Sequence, residues 1–167
     1  MDLLFDDVPR LGRVMQVDDR AEALVAGWKA EPAAIEMQTA DLKGLRVFLL
    51  DSPADAPSTA GKFAIPDAMI AAASGTNVTR DLDTNWGRTS WGAVAAANPE
   101  SLVLLDYQAG NGAADTFMFL QEHPVMSQTD AVKNERWIGF RYEELTPGPA
   151  NIRAIAIVAQ AMNPGLN

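Results

Sequence analysis

The sequence predicts an α/β fold, with a central parallel or mixed β-sheet that is flanked by helices. Three short apolar runs have the length and composition of buried strands: residues 45–50 (LRVFLL), 101–107 (SLVLLDY) and 136–140 (RWIGF). Segments with helical patterns separate these runs. Strands that alternate with helices along a chain favour a sheet that is covered on both faces.

Helices are predicted before, between and after these strands. Pro9 suits the first position of a short helix, and residues 17–31 (VDDRAEALVAGWKAE) have the apolar spacing of a longer one. Thr89 or Ser90 is a suitable N-cap for a helix that begins near Trp91. The remaining helical segments are residues 65–73, 113–121 and 146–162.

Composition restricts the kinds of function that the chain can have. Its 167 residues suffice for one domain with a substantial core. A net charge of −9 argues against a nucleic-acid partner, because a phosphate backbone attracts basic proteins. The absence of cysteine excludes disulfides, thiolate metal sites and cysteine nucleophiles. The sequence contains no run of about 18 apolar residues, the length that would predict a membrane span. Its first residues lack the pattern of a signal peptide.

No catalytic constellation is evident in the sequence. The segment STAGKF resembles the end of a phosphate-binding loop, but Phe63 stands where Ser or Thr would hold magnesium. His123 is the one histidine, and a single histidine without cysteine does not predict a zinc site. We therefore expect a protein that is not an enzyme. The alternative is a small α/β enzyme or nucleotide-binding domain that uses His123 with the strand-end residues Asp51 and Asp106.

The carboxyl ends of the predicted strands are the expected place for a binding site, because parallel α/β sheets bind ligands beyond these ends. Three loops follow the strands, over residues 51–62, 106–112 and 141–149, and we expect them to gather at one edge of the sheet. The candidate polar and aromatic residues on these loops are Ser58, Thr59, Tyr107, Gln108, Arg141 and Tyr142.

Five stretches of the sequence occur in the order in which similar motifs occur in a known family. They are residues 4–31, 45–78 (ending in SGTNV), 86–107 (WGRTSWGAVAAANPESLVLLDY), 123–140 (HPVMSQTDAVKNERWIGF) and 144–164. Together they resemble the linking helix and C-terminal half of the substrate-binding proteins that serve ABC importers of iron–siderophores, haem and vitamin B12. The resemblance covers nearly the whole chain.

This resemblance implies a Rossmann-like C-terminal α/β lobe over residues 44–167, preceded by a linking helical segment over residues 1–43. The N-terminal lobe and a signal segment are then expected to be absent from the chain. The implied function is that of an extracytoplasmic solute-binding component, either periplasmic or a membrane-anchored lipoprotein. Its partners would be an ABC permease and a metal-chelate ligand, a ferric siderophore, haem or cobalamin, rather than a permanent cofactor. We expect the exposed cleft face to cause self-association.

The resemblance also implies roles for individual residues. Trp86 matches a tryptophan that faces the ligand in the vitamin B12 member. Arg88 lies where siderophore binders place polar or cationic groups. Arg141 and Tyr142 lie in the last strand-exit loop, from which basic or aromatic groups face the cleft. We expect the two arginines to bind anionic oxygens of a ferric complex, and Trp91 to pack against the sheet.

Gly92 is the clearest departure from the family pattern. The family commonly has a Ser-Trp-Glu sequence here, and its glutamate pairs with arginines of the permease. Gly92 takes the place of this glutamate and cannot form the ion pair. We expect either that Glu100 or another acidic group substitutes for it, or that the protein docks differently.

Overall fold

The computed structural model describes residues 2–39, 44–107, 112–146 and 148–163, with only the backbone of residues 2–4. Gln108 lies outside the described residues. The helices are α1 (Asp2–Met15), α2 (Asp18–Thr39), α3 (Ile65–Ala72), α4 (Trp91–Ala97), α5 (Ala113–Glu122), a 3-10 turn (Met126–Gln128), α6 (Asp130–Lys133), α7 (Tyr142–Leu145) and α8 (Ala150–Met162). The strands are β1 (Arg46–Leu50), β2 (Ser58–Ala60), β3 (Thr76–Asn77), β4 (Trp86–Arg88), β5 (Ser101–Asp106) and β6 (Trp137–Arg141).

Four of these strands form one parallel sheet in the order β3–β1–β5–β6. Phe48 of β1 is paired with Leu102 of β5, and Val103 of β5 with Ile138 of β6. The three strands predicted from apolar runs are β1, β5 and β6, so the predicted α/β fold is confirmed and its sheet is parallel. β3 has two residues, which is too short to produce a hydrophobic pattern.

Alternating side chains of the central strands build one core on each face of the sheet. Val47 and Leu49 pack on one face with α3 and α8, whereas Phe48 and Leu50 pack on the other with α4 and α5. Trp91 belongs to this second core, which confirms that it packs against the sheet. Burial on both faces explains why these strands appear in the sequence as continuous apolar runs.

Two long helices open the chain and pack against each other. α1 continues through Pro9, so the prediction that Pro9 begins a helix is wrong. The proline removes one backbone N–H donor, but the packing of Gly12 directly on Ala21 holds α1 against α2. At the other end of α2, the hydroxyls of Thr39 and Ser74 are hydrogen-bonded at 2.6 Å. The expected domain boundary after residue 43 falls outside the described residues.

The structure contains a second sheet of two antiparallel strands, in segments that the sequence pattern does not predict as strands. It consists of β2 and β4, in which Ser58 is paired with Arg88 and Ala60 with Trp86. Gly61 follows β2 at a point where the backbone passes very close to a neighbouring turn. A Cβ atom here would lie 2.7 Å from the carbonyl oxygen of Leu82, so only glycine fits this position.

Asn77 connects this small sheet to the main sheet through a buried polar network. Its amide nitrogen donates to the Ala60 carbonyl at 3.0 Å and to Asp67 Oδ1 at 3.2 Å. Its amide oxygen accepts from the Thr79 N–H at 3.1 Å and the Thr79 hydroxyl at 2.9 Å. Thr79 is in turn hydrogen-bonded to Thr59 at 3.1 Å. The SGTN turn thus fixes the position of β2 and, through it, of β4.

The predicted helices are present with small shifts of their ends. Ser90, rather than Thr89, is the N-cap of α4, and its Oγ accepts a hydrogen bond from the Ala93 N–H at 3.1 Å. A turn of four residues, α7, follows β6 where only a loop is predicted. Among the helices of the described residues, none combines the length and the apolar character that a membrane crossing requires.

Candidate ligand-binding site

A cavity of about 350 Å³ lies where the sequence predicts a site, at the carboxyl edge of the sheet. β1, β5 and β6 each contribute a residue from or just beyond the strand end, and the small β2–β4 sheet closes one side. Four of the predicted site residues, Ser58, Trp86, Tyr107 and Tyr142, are brought together here. The described residues that line the cavity are Asp51, Ser58, Trp86, Leu105, Tyr107, Tyr142, Leu145 and Thr146.

Trp86 reaches the cavity from β4, and Ser58 reaches it from β2. The two strands are adjacent and antiparallel, so alternating residues share a face. The Trp86 side chain is 41% exposed, whereas Trp91 is 9% exposed in the core. Of the two tryptophans in this part of the sequence, Trp86 is therefore the more exposed and the one that lines the strand-edge cavity.

Asp51 and Tyr107 form a hydrogen-bonded pair on the cavity wall, in which the Tyr107 hydroxyl donates to Asp51 Oδ1. Ser52 Oγ donates to the other carboxylate oxygen at 3.2 Å. Burial, followed by the hydrogen bond to Asp51, raises the pKa of the Tyr107 phenol above its ordinary value. Tyr107 therefore keeps its proton at neutral pH and acts as a donor rather than as a phenolate.

Tyr142 forms the opposite aromatic wall at the start of α7. Its ring lies 6.4 Å from that of Tyr107, measured between centroids, at an interplanar angle of 35°. The buried side chain of Asn151 fixes this segment, since its amide nitrogen donates to the carbonyls of Glu144 at 2.8 Å and Thr146 at 3.1 Å. A rigid turn therefore places Tyr142 and Thr146 beside the cavity.

Three predicted ligand residues do not line this cavity. Thr59 is fully buried, and its hydroxyl donates to the Leu49 carbonyl at 2.7 Å, so its expected ligand role is replaced by a structural one. Arg88 is exposed on β4 opposite Ser58. Arg141 forms ion pairs with Glu143 at 3.2 Å and Glu144 at 3.4 Å. The expectation that the arginines bind anionic oxygens therefore lacks support from this lining.

The alternative catalytic set is not assembled around His123. Its ring lies 4.7 Å from that of Trp91, and its Nδ1 accepts from the backbone N–H groups of Val125 and Met126 at 3.4 Å. This histidine lines a different cavity, of about 600 Å³, whereas Asp51 lines the strand-edge cavity. Asp106 ends β5, where it is paired in register with Arg141 of β6.

Asp51, Leu105, Leu145 and Thr146 line the cavity, although they are absent from the predicted ligand residues. Asp51 could have been selected as a site residue, because it directly follows a buried strand, but it was considered only for the alternative catalytic role. Leu145 and Thr146 could not be selected, because their position depends on α7. Within the described ranges, no group of three or more histidine, aspartate or glutamate side chains is arranged to hold a metal ion.

A parallel sheet covered on both faces, with a cavity beyond its strand ends, defines a Rossmann-like α/β lobe of the kind found in binding proteins. The chain belongs to the periplasmic binding protein family, whose model matches residues 2–141. No curated protein matches the chain.

Solved structures provide specific comparisons. A periplasmic binding protein from Veillonella parvula is 27% identical, with a TM-score of 0.88 over 98% of this chain and 57% of that protein. A periplasmic haem-binding protein from a Roseiflexus species in the apo form is 25% identical, with a TM-score of 0.79 over 96% of this chain and 62% of that protein.

The fold is also shared with an ABC-type Fe³⁺-hydroxamate transport system protein from Saccharomonospora viridis. That protein is 21% identical, with a TM-score of 0.81 over 97% of this chain and 56% of its own. The chain thus spans less than two thirds of the length of these relatives. These comparisons confirm the resemblance to a C-terminal lobe that the five sequence motifs indicated.

Proposed function

We propose that the chain is part of the solute-binding component of an ABC importer and contributes one wall of a site for a metal-chelate ligand. Family membership supports a binding role rather than catalysis. The similar solved structures include proteins described as iron-binding, Fe³⁺-hydroxamate-transporting and haem-binding. A ferric siderophore, haem or cobalamin is the class of ligand, carried as cargo rather than held as a permanent cofactor.

The strand-edge cavity is the observation that carries this proposal. It combines the exposed ring of Trp86 with the hydroxyls of Ser58, Tyr107 and Tyr142 at the edge where α/β sheets bind ligands. An aromatic surface with a few polar groups suits a large, partly flat chelate. In this proposal residues 44–167 are the C-terminal lobe, and residues 1–43 link it to another lobe across the cleft.

The test is a titration of the full-length gene product with a ferric trihydroxamate, a ferric tricatecholate, haem and cobalamin. Isothermal titration calorimetry is expected to detect saturable binding of at least one of them. Failure of all four to bind would contradict the proposal. The alternative of a small enzyme or nucleotide-binding domain would instead be supported by hydrolase activity that requires His123.

Delivery to a permease outside the cytoplasm is part of the same proposal, and Gly92 bears on how the protein docks. It lies in the first turn of α4 and is exposed. A Cβ atom built on Gly92 meets no atom within 4 Å, so any side chain can be accommodated there. The missing glutamate is therefore not excluded by sterics. Glu100 could take over the docking role of this glutamate only by giving up its ion pair with Arg46, which is 3.3 Å long.

Replacing Gly92 with glutamate is expected to raise the free energy of unfolding by about 1 kcal/mol. Roughly 0.8 kcal/mol of this is expected from the better helix propensity, and a few tenths more from a negative charge near the N-terminus of α4. Urea unfolding monitored by circular dichroism measures the change, with Gly92→Ala as the control for propensity alone. A loss of stability would contradict the open environment of Gly92.

Self-association stays a prediction of the same proposal. Trp86 and Tyr142 expose apolar surface beside the cavity, and such surface favours association of the isolated 167-residue chain. Light scattering is expected to show a concentration-dependent dimer, and glutamate substitution of Tyr142 is expected to weaken it. A strict monomer at all concentrations would count against this expectation.

A further inference from the structure

Among the described residues, the strand-edge cavity has one formal charge on its wall, and that charge is negative. Asp51 is the single charged side chain among the described residues that line it, and no lysine, arginine or histidine is among them. The ion pairs recorded for the described residues do not include Asp51. Its two recorded hydrogen-bond partners are the neutral hydroxyls of Tyr107 and Ser52. Among the described lining residues, the negative charge of Asp51 therefore has no cation to balance it.

The hydrogen bonds of Asp51 leave its carboxylate able to accept more. Each carboxylate oxygen has two lone pairs, and each oxygen of Asp51 receives one recorded hydrogen bond. Both partners are donors, as a charged carboxylate requires. Burial raises the pKa of Tyr107, and the hydrogen bond to Asp51 and its charge raise it further, so the phenol remains a donor. A donor that enters the cavity would thus find an acceptor that is already held in place.

Aromatic rings supply the other walls. Trp86, Tyr107 and Tyr142 all line the cavity, and the two tyrosine rings lie within 6.4 Å of each other. The face of an aromatic ring attracts a cation through its quadrupole, and tryptophan does so best. Three aromatic rings and one carboxylate around a cavity form a typical site for an ammonium group.

Neither of the nearby arginines is among the described residues that line the cavity. The guanidinium of Arg141 is paired with Glu143 and Glu144, so it brings no net positive charge to the cavity edge. Arg88 is paired with Ser58 and lies on the same face of the β2–β4 sheet, but it is not among the described lining residues. An anionic group placed against Asp51 would meet no cation among the described lining residues, and burying such a contact is costly.

We propose that this cavity receives a cationic group of the ligand, a protonated amine or an alkylammonium, between the carboxylate of Asp51 and the rings of Trp86 and Tyr142. The proposal rests on the proposed function, since it concerns the same cavity and names the charge of the part of the ligand bound there. It replaces the expectation of an anionic ferric complex held by Arg88 and Arg141.

A matched pair of ligands tests the proposal without any change to the protein. One ligand is a ferric trihydroxamate with a pendant protonated amine, and the other is the same chelate with that amine acetylated. Calorimetric titration of the full-length gene product is expected to give an affinity at least about tenfold higher for the amine than for its acetylated counterpart. Tetramethylammonium alone is expected to compete with the amine form.

Variants then assign the effect to Asp51. Asp51→Asn keeps the size of the side chain and is expected to lower the affinity for the amine form about tenfold, while the acetylated form changes less than about threefold. Asp81→Asn is the matched control, because Asp81 is exposed and lines none of the cavities described above. Circular dichroism of each variant establishes that it is folded.

The outcomes separate this proposal from the proposed function. Equal or tighter binding of the acetylated chelate, or of an anionic ferric tricatecholate, would overturn the cationic site while leaving a chelate-binding protein. Binding of tetramethylammonium that depends on Asp51, with no binding of any chelate, would support the cationic site and overturn the proposed function. Absence of binding by every probe would overturn both.

Discussion

Replacing Asn77 with alanine is expected to lower the free energy of unfolding by about 3 kcal/mol. The side chain is 3% exposed and takes part in four hydrogen bonds, to Ala60, Asp67 and twice to Thr79. Alanine would leave the Thr79 N–H and an oxygen of the buried Asp67 carboxylate without these partners. An unsatisfied buried polar group costs about 1–3 kcal/mol, so two of them account for the expected loss.

Urea unfolding monitored by circular dichroism measures this loss, and Asn85→Ala is the matched control. Asn85 is exposed and lies just before β4, so the same substitution there is expected to change stability by less than about 0.5 kcal/mol. A loss below about 1 kcal/mol in Asn77→Ala would show that water satisfies the network in place of Asn77. The conclusion that the SGTN turn fixes β2 would then be wrong.

The network around Asn77 also explains which elements the sequence could predict. β1 and β5 are buried on both faces, so their residues form apolar runs that are visible without any knowledge of the partners. β6 is buried only at Phe140, but its short run of Trp137, Ile138 and Phe140 is still apolar. β2 and β4 have three residues each, with Ser58, Thr59 and Arg88 among them, and this mixture carries no strand signal. Their existence depends on long-range contacts, chiefly those through Asn77 and Thr79.

The same dependence explains the mixed outcome for the candidate site residues. Ser58 and Thr59 are neighbours in sequence and equally polar, yet one lines the cavity and the other is buried. The direction of each side chain follows from the pairing of β2 with β4, which the sequence does not reveal. The sequence predicted the edge of the sheet at which the cavity lies, because that rule depends only on strand order and direction.

The charged residues at the strand ends are also visible in the sequence. Arg141 is followed at once by Tyr142, Glu143 and Glu144, and a turn that brings these carboxylates back to the arginine was compatible with the sequence. Asp51, in contrast, directly follows a strand and points to the cavity. The acidic residues at these strand ends therefore agree with the proposal of a site for a cationic group.

Replacing Trp86 with alanine is expected to weaken ligand binding by the full-length gene product by about 1–3 kcal/mol, the range for burial of a large aromatic side chain. Trp86 is 41% exposed in the free chain and lines the cavity, so a bound ligand can cover ring surface that is now in contact with water. Protein stability is expected to change little, because this tryptophan belongs to neither core. The substitution is therefore expected to weaken ligand binding without lowering the free energy of unfolding.

Isothermal titration calorimetry is the appropriate measurement, because removing Trp86 also removes a fluorescent reporter. The ligand is whichever chelate the wild-type protein binds. Phe63→Ala is the control, since Phe63 is 61% exposed and close in sequence to β2 but does not line the cavity. An unchanged affinity in Trp86→Ala would mean that the ligand does not contact β4. The site would then have to be placed elsewhere on the strand-edge loops, with Tyr142 on the other wall as the next residue to replace.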